Sequence, residues 1–183
     1  MSQAPVLYDF EVALAHVDRG LQETLSLRTA RHPSETLARV FLRVLAFCFF
    51  HQERLVFGKG LSDPEAPDLE VRDLTGLLSL WIRVGKADPA RVQKLADQNS
   101  SARVAVFFES PQRLEAFLAA AAAEKVSRLG RVELLAMDPA LPLALAEKDQ
   151  RRHKLAVTIV GEHFYVEQGM RNFDGALLRA SAP

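Results

Sequence analysis

The stretch LSLWIRVGK, residues 78–86, decides how the centre of the chain folds. Leu78, Leu80, Ile82 and Val84 fall on one side of a period of two, and Ser79, Trp81 and Arg83 on the other, which predicts a buried strand. An arginine on such a strand requires a partner or an opening to water. Upstream, Thr75-Gly76 predicts a turn from a strand over 69–73, and GKGLSDPEAP, residues 58–67, reads as a Gly- and Pro-rich loop. Downstream, Asp88 and Pro89 fit the N-cap and first position of a helix reaching about residue 98.

The same rules extend to both ends of the chain. Residues 6–17 alternate, Asp18-Arg19-Gly20 makes a turn, and a second alternating run over 21–29 completes an opening hairpin. Leu37, Val40, Phe41, Val44, Leu45 and Cys48 recur at helical spacing, so a helix is predicted over 34–50 with Pro33 and Ser34 as its start signals. Past residue 98 the pattern predicts a strand over 102–108, then a helix opened by Ser110-Pro111 and closed by Gly130, and a strand over 132–137. A short helix over about 139–148 and a hairpin of 155–160 with 163–166 follow, and the tail after Gly169 is weakly patterned. Helices alternating with strands in the middle, flanked by hairpins, give a mixed α/β domain over 1–183, with one central mixed sheet flanked by helices.

Composition narrows the function classes. Lys plus Arg equals Asp plus Glu at 23 each, so no global basic field exists to hold a phosphate backbone, and binding to random duplex DNA is expected to be weak and salt-dependent. Cys48 is the only cysteine, which excludes an internal disulfide and a cysteine-built zinc site, and its apolar surroundings predict a buried, inert thiol. The histidines, at 16, 32, 51, 153 and 163, show no zinc spacing, and no Walker loop, GxGxxG or GxSxG is present. No signal core or spanning run is seen, so a cytoplasmic protein with no membrane partner is expected.

The wording ARHPSETLARVFLRVLAF at 30–47, followed by ERLVFGKGL at 53–61, DLTG at 73–76, LWIRVGKAD at 80–88 and RVQKLA at 91–96, closely resembles the YaeQ family of bacteria, over nearly the whole chain. The resemblance implies a fold related to the PD-(D/E)XK nucleases, a restriction-endonuclease-like core with added hairpins. In such nucleases carboxylates from neighbouring strands, and sometimes one from the first helix, hold Mg²⁺, because hard oxygen ligands must converge on the ion that activates water. Typical family members carry an acid where this chain has Ser79 and Glu where it has Arg83. The two positions share a strand face, about 13 Å apart.

Arg83 is therefore expected on a cleft face, pairing with an acid of the preceding strand. Of Asp68, Glu70 and Asp73, Asp68 best matches the nuclease-like acid, following Pro67. A fixed cation there repels a metal ion, so no metal site and no cofactor are expected. Arg91 and Lys94, three apart on the second helix, can face the same cleft, as can Glu35 if it lies at the cleft mouth. The plainer alternative makes Glu35, Arg39 and Arg43 solvent-facing ion pairs, Arg91 and Lys94 a solvated face, and Trp81 a core residue. Two functions follow: a non-catalytic binding or scaffold protein using Arg83, Arg91 and Lys94 on a nucleic acid, small anion or protein partner, or a Mg- or Mn-dependent nuclease built from Asp68, Asp73 and Glu35.

Overall fold

A computed structural model describes residues 4–58 and 66–181. The described residues form ten strands and four α-helices, so the mixed α/β class expected from the sequence is borne out. The chain divides into two compact units, one from residues 1–49 and 138–177, the other from 50–137 and 178–183.

The first unit opens with β1 (Val6–His16), a 3-10 turn over Val17–Arg19, and β2 (Leu21–Arg31). Gly20 closes that turn at φ +59, a conformation glycine adopts without a Cβ penalty. β1 and β2 pair antiparallel from Val6↔Arg31 to His16↔Leu21, as the opening alternation predicts. Helix α1 (Leu37–Phe50) begins three residues later than expected. Its first turn is capped by Thr36, whose Oγ1 accepts from the Arg39 N–H at 3.2 Å, so Pro33 and Ser34 belong to the turn before it. The helix is buried almost all round, with Val40 to Cys48 inaccessible apart from slight exposure of Phe47. Burial pushes the Cys48 thiol up to about 12, which leaves it protonated and inert.

In the second unit, β3 (Val56–Phe57), β4 (Leu69–Arg72) and β5 (Leu78–Val84) are antiparallel neighbours. β5 then runs parallel to β6 (Arg103–Phe108), and β6 to β7 (Val132–Met137), with α2 (Pro89–Gln98) and α3 (Pro111–Ala123) as the crossovers. Both helices start where the sequence places them: Asp88 accepts from the Arg91 N–H and Ser110 from the Arg113 N–H, each with proline at the first helical position. α3 ends before Gly130. Lys125, at φ +56, takes the left-handed closing position, and the Val126 N–H returns to the Ala121 carbonyl. Residues 59–65 of the anticipated loop lie outside the described residues.

The chain returns to the first unit through α4 (Ala140–Leu145), shorter than expected, β8 (Arg152–Val160) and β9 (His163–Gln168). β8 pairs parallel with β1, Asp9 opposite Arg152, and antiparallel with β9. The tail read as weakly patterned is a strand, β10 (Arg171–Ala180), antiparallel to β9 over residues 171–176. Its glycine is dictated by packing, since a Cβ on Gly175 would lie 2.9 Å from the Leu141 Cβ.

Candidate functional site

The candidate site is built around the end of β5. Both faces of this strand are covered: Leu80, Ile82 and Val84 are buried on one side, and on the other Trp81 joins Val92 and Ala96 of α2, Val104 and Val106 of β6, and Leu114 and Phe117 of α3 in one apolar cluster. Pairing of Leu69 with Ile82 and of Glu70 with Trp81 leaves Asp68 facing Arg83 one step along.

Asp68 is 8% exposed, and its Oδ2 accepts the Val84 N–H at 2.8 Å. The same oxygen lies 3.7 Å from the Arg83 Nε. Arg83 also donates from Nη1 to the Ala66 carbonyl at 2.9 Å and from Nε to the Lys86 carbonyl at 3.3 Å. The guanidinium is thus pinned by backbone on both flanks while neutralising a buried carboxylate. Ser79 does something simpler, its hydroxyl donating to the Val71 carbonyl at 3.2 Å. Backbone crowding fixes this corner: the Gly58 N–H donates to the Asp68 carbonyl at 2.8 Å, and a Cβ on Gly58 would fall 1.9 Å from the Pro67 carbonyl oxygen.

Beyond Arg83 the chain turns at Gly85, φ +84, and enters α2 at its Asp88 cap. The outcome is a cleft of about 740 Å³. Trp81, Ala87, Pro89, Val92, Leu95 and Ala120 give it an apolar floor, and Arg83, Lys86, Arg91, Lys94 and Gln98 a polar, largely basic rim. Two carboxylates line it, those of Asp88 and Glu124. Asp88 is engaged as the helix cap. Lys86, Arg91 and Lys94 are exposed, and none has an ion-pair partner among the described residues. Clustered cations without counter-ions around an apolar concavity give the cleft a positive potential, which favours anions over cations.

The structure therefore brings Arg83, Arg91 and Lys94 together with Asp68 close behind, and places Asp73 and Glu35 elsewhere. Asp73 sits at the tip of the β4–β5 hairpin, where its Oδ1 accepts from the Thr75 N–H and hydroxyl and the Leu77 N–H at 2.7–2.9 Å. The Thr75 hydroxyl above all, with those backbone donors, holds this carboxyl below its ordinary range. Glu35 belongs to the first unit, and the expectation that it and Arg43 face solvent is overturned. Glu35 is 7% and Arg43 1% exposed. Arg43 donates from Nε and Nη2 to the two oxygens of Glu35 at 3.0 and 2.9 Å, from Nη1 to the Thr29 hydroxyl at 2.6 Å, and from Nη2 to the Ala30 carbonyl at 2.8 Å. Arg39 adds a bond to Glu35 at 2.5 Å. The side of the helix that reads as polar packs against β2, which supplies polar partners in place of water.

Among the described residues, no group of three or more His, Cys, Asp or Glu side chains is arranged to hold a metal ion, and no helix is long and apolar enough to cross a membrane. Sequence reasoning missed Lys86, Gln98 and Glu124. Lys86, two residues past the strand end, and Gln98, seven residues after Arg91 on the same helix face, carried a readable spacing signal. Glu124 carried none, because its place at the cleft depends on how α3 packs beside α2.

Comparison with known proteins agrees with the wording noted in the sequence. The crystal structure of YaeQ protein from Xanthomonas axonopodis pv. citri superposes with a TM-score of 0.86 at 30% identity, covering 98% of this chain and 100% of that one. The crystal structure of YaeQ protein from Pseudomonas syringae gives 0.84 at 27% identity, covering 99% and 98%. The Escherichia coli (strain K12) protein named "Uncharacterized protein YaeQ" is 37% identical over 107 residues, a match spanning 58% of this chain and 58% of that relative's length. A family model described as YaeQ protein matches residues 1–176, and the chain accordingly belongs to the YaeQ family.

Proposed function

We propose that the protein is a non-catalytic binding protein whose second unit takes a small anionic ligand in the cleft beside Arg83. The observation that carries this reading is the state of Asp68. The carboxylate oxygen that a nuclease-like site would offer to a metal accepts a backbone N–H, with a guanidinium 3.7 Å away. A cation fixed there opposes a divalent ion and supplies neither Lewis acidity nor an activated water. The antiparallel β4–β5 pair running into parallel β6 and β7 supports a core of the PD-(D/E)XK kind that has kept its frame and exchanged its metal ligands for cations. Lys86, Arg91 and Lys94 supply the positive charge that an anion requires.

The test is calorimetry on the folded protein with two probes, Mn²⁺ and inorganic pyrophosphate. The natural chain is expected to bind pyrophosphate at low salt, with a dissociation constant of roughly 1 mM or below, and to take up no Mn²⁺. The Lys86→Glu/Arg91→Glu/Lys94→Glu variant, altered only at exposed positions, loses the pyrophosphate signal. A Ser79→Glu/Arg83→Glu variant that folds and binds Mn²⁺ shows that the metal site is recoverable. Mn²⁺ binding by the natural protein, with nucleic-acid cleavage lost in Asp68→Ala, would overturn the proposal in favour of a metal-dependent nuclease.

A further inference from the structure

We infer that the ligand of this cleft is a nucleoside phosphate, its flat heterocycle on the apolar floor and its phosphates at the basic rim; the inference deepens, and rests on, the anion-binding reading above. An inorganic anion uses only the rim. It leaves uncovered the concave surface made by Ala87, Leu95 and Ala120 over Trp81, in a cavity of about 740 Å³ that matches organic ligands of some tens of atoms. The phosphate end is specified by Lys86, Arg91 and Lys94, which approach from the β5–α2 connection and from successive turns of α2.

Two further groups call for a ligand with hydrogen-bonding edges. Trp81 is 5% exposed, yet its indole N–H has no acceptor among the described residues, whereas buried indole donors are normally satisfied. The nitrogen itself is covered, so an acceptor reaches it only by parting the side chains over it; a heterocycle carries ring nitrogens or carbonyl oxygens that can fill that role, and a plain hydrocarbon does not. Glu124 is the one lining carboxylate whose side chain has no partner among the described residues, since Asp88 is held by its helix cap. In a basic cleft an acid is unhelpful to a simple anion and useful to an exocyclic amine or a sugar hydroxyl. The pattern of basic rim, apolar floor, one buried donor and one free acid matches the parts of a nucleoside phosphate.

Trp81 is the only tryptophan, so its emission, excited at the red edge beyond nucleotide absorption, reports on the floor directly. The full chain is titrated at low salt in EDTA with ADP, UDP, pyrophosphate and adenosine, with calorimetry in parallel. At least one of the two nucleotides is expected to perturb Trp81 and to bind at least about tenfold tighter than pyrophosphate, with adenosine weakest. Glu124→Ala, at an exposed helix end, weakens the better nucleotide roughly fivefold to tenfold while leaving pyrophosphate unchanged or slightly tighter. Lys94→Glu weakens both. Pyrophosphate binding as tightly as ADP and UDP, or Glu124→Ala leaving the nucleotide unaffected, overturns this inference and leaves the anion reading standing. Absence of binding by nucleotides and pyrophosphate alike overturns both.

Discussion

Replacing Glu35 by alanine is the most severe perturbation that the first unit offers at a single polar residue. Its carboxylate accepts two bonds from Arg43 and one from Arg39, and it also accepts the His32 N–H at 3.2 Å. Arg43 is 1% exposed, so loss of the acid removes the carboxylate that accepts from its Nε and Nη2 at a buried site. Breaking one side of a buried pair costs about 3–5 kcal/mol. With a urea m value of about 2 kcal/mol/M for a chain of this size, the unfolding midpoint should fall by roughly 1.5–2.5 M, read by circular dichroism and Trp81 emission. Arg39→Ala is the internal control: its side chain is 27% exposed, and its loss should cost about 1 kcal/mol or less. The double variant Glu35→Ala/Arg43→Met removes both charges and should recover part of the loss, because no charge is then left buried, while the Thr29 hydroxyl and the Ala30 carbonyl each lose a donor. A Glu35→Ala midpoint no lower than that of Arg39→Ala, or a double variant no better than the single, would refute the account of a buried network.

Two other outcomes concern buried histidines and one crowded glycine. His16 and His153 are both held below the ordinary histidine range, burial being the larger cause in each, so the unfolded chain takes up more protons as the pH falls. Their contribution to stability is complete above the unfolded value of about 6.5 and is lost as pH falls from there toward the folded values. The urea midpoint should therefore be flat near pH 7.5 and decline toward pH 5, with a shallower decline in His153→Phe, whose ring would pack between Phe10 and Phe41; identical slopes in the two proteins would contradict this. Gly58→Ala forces a methyl against the Pro67 carbonyl and should cost roughly 1–3 kcal/mol in the same titration. An unchanged midpoint would show that this corner yields freely.

The sequence is most legible where local chemistry alone decides. Asp88-Pro89 and Ser110-Pro111 announce α2 and α3 because an N-cap and a proline act within one turn, and the first hairpin is readable because two alternating runs flank the Asp18-Arg19-Gly20 turn. β10 is obscured because tertiary packing sets its pattern: Leu141 demands glycine at 175, and the residues between the inward-facing ones are exposed. Arg43 is illegible for a related reason. Helical periodicity reveals that it lies off the apolar stripe, whereas only the fold reveals that Thr29 and Ala30 wait there as partners. At the candidate site the strand period sets the face of Arg83, the family resemblance points to Asp68 as its partner, and helical spacing gathers Arg91 with Lys94. The cavity between them is a product of how α2 and α3 pack on the sheet, which no local pattern encodes.

The order in which the two units leave the ribosome follows from their make-up. The strands of the second unit, β3 to β7, come from one continuous run of chain, so each meets its neighbour soon after it is made. β1 pairs in parallel with β8, and Asp9 must wait for Arg152. At about 5–20 residues per second that delay is roughly 7–30 s, long compared with the microseconds in which a hairpin forms. During synthesis the β1–β2 hairpin therefore emerges before β3 to β7 and matures after them, holding an apolar strand edge open until the chain has returned. A nascent chain arrested before Arg152 presents that edge to whatever chaperone or sister chain is nearby.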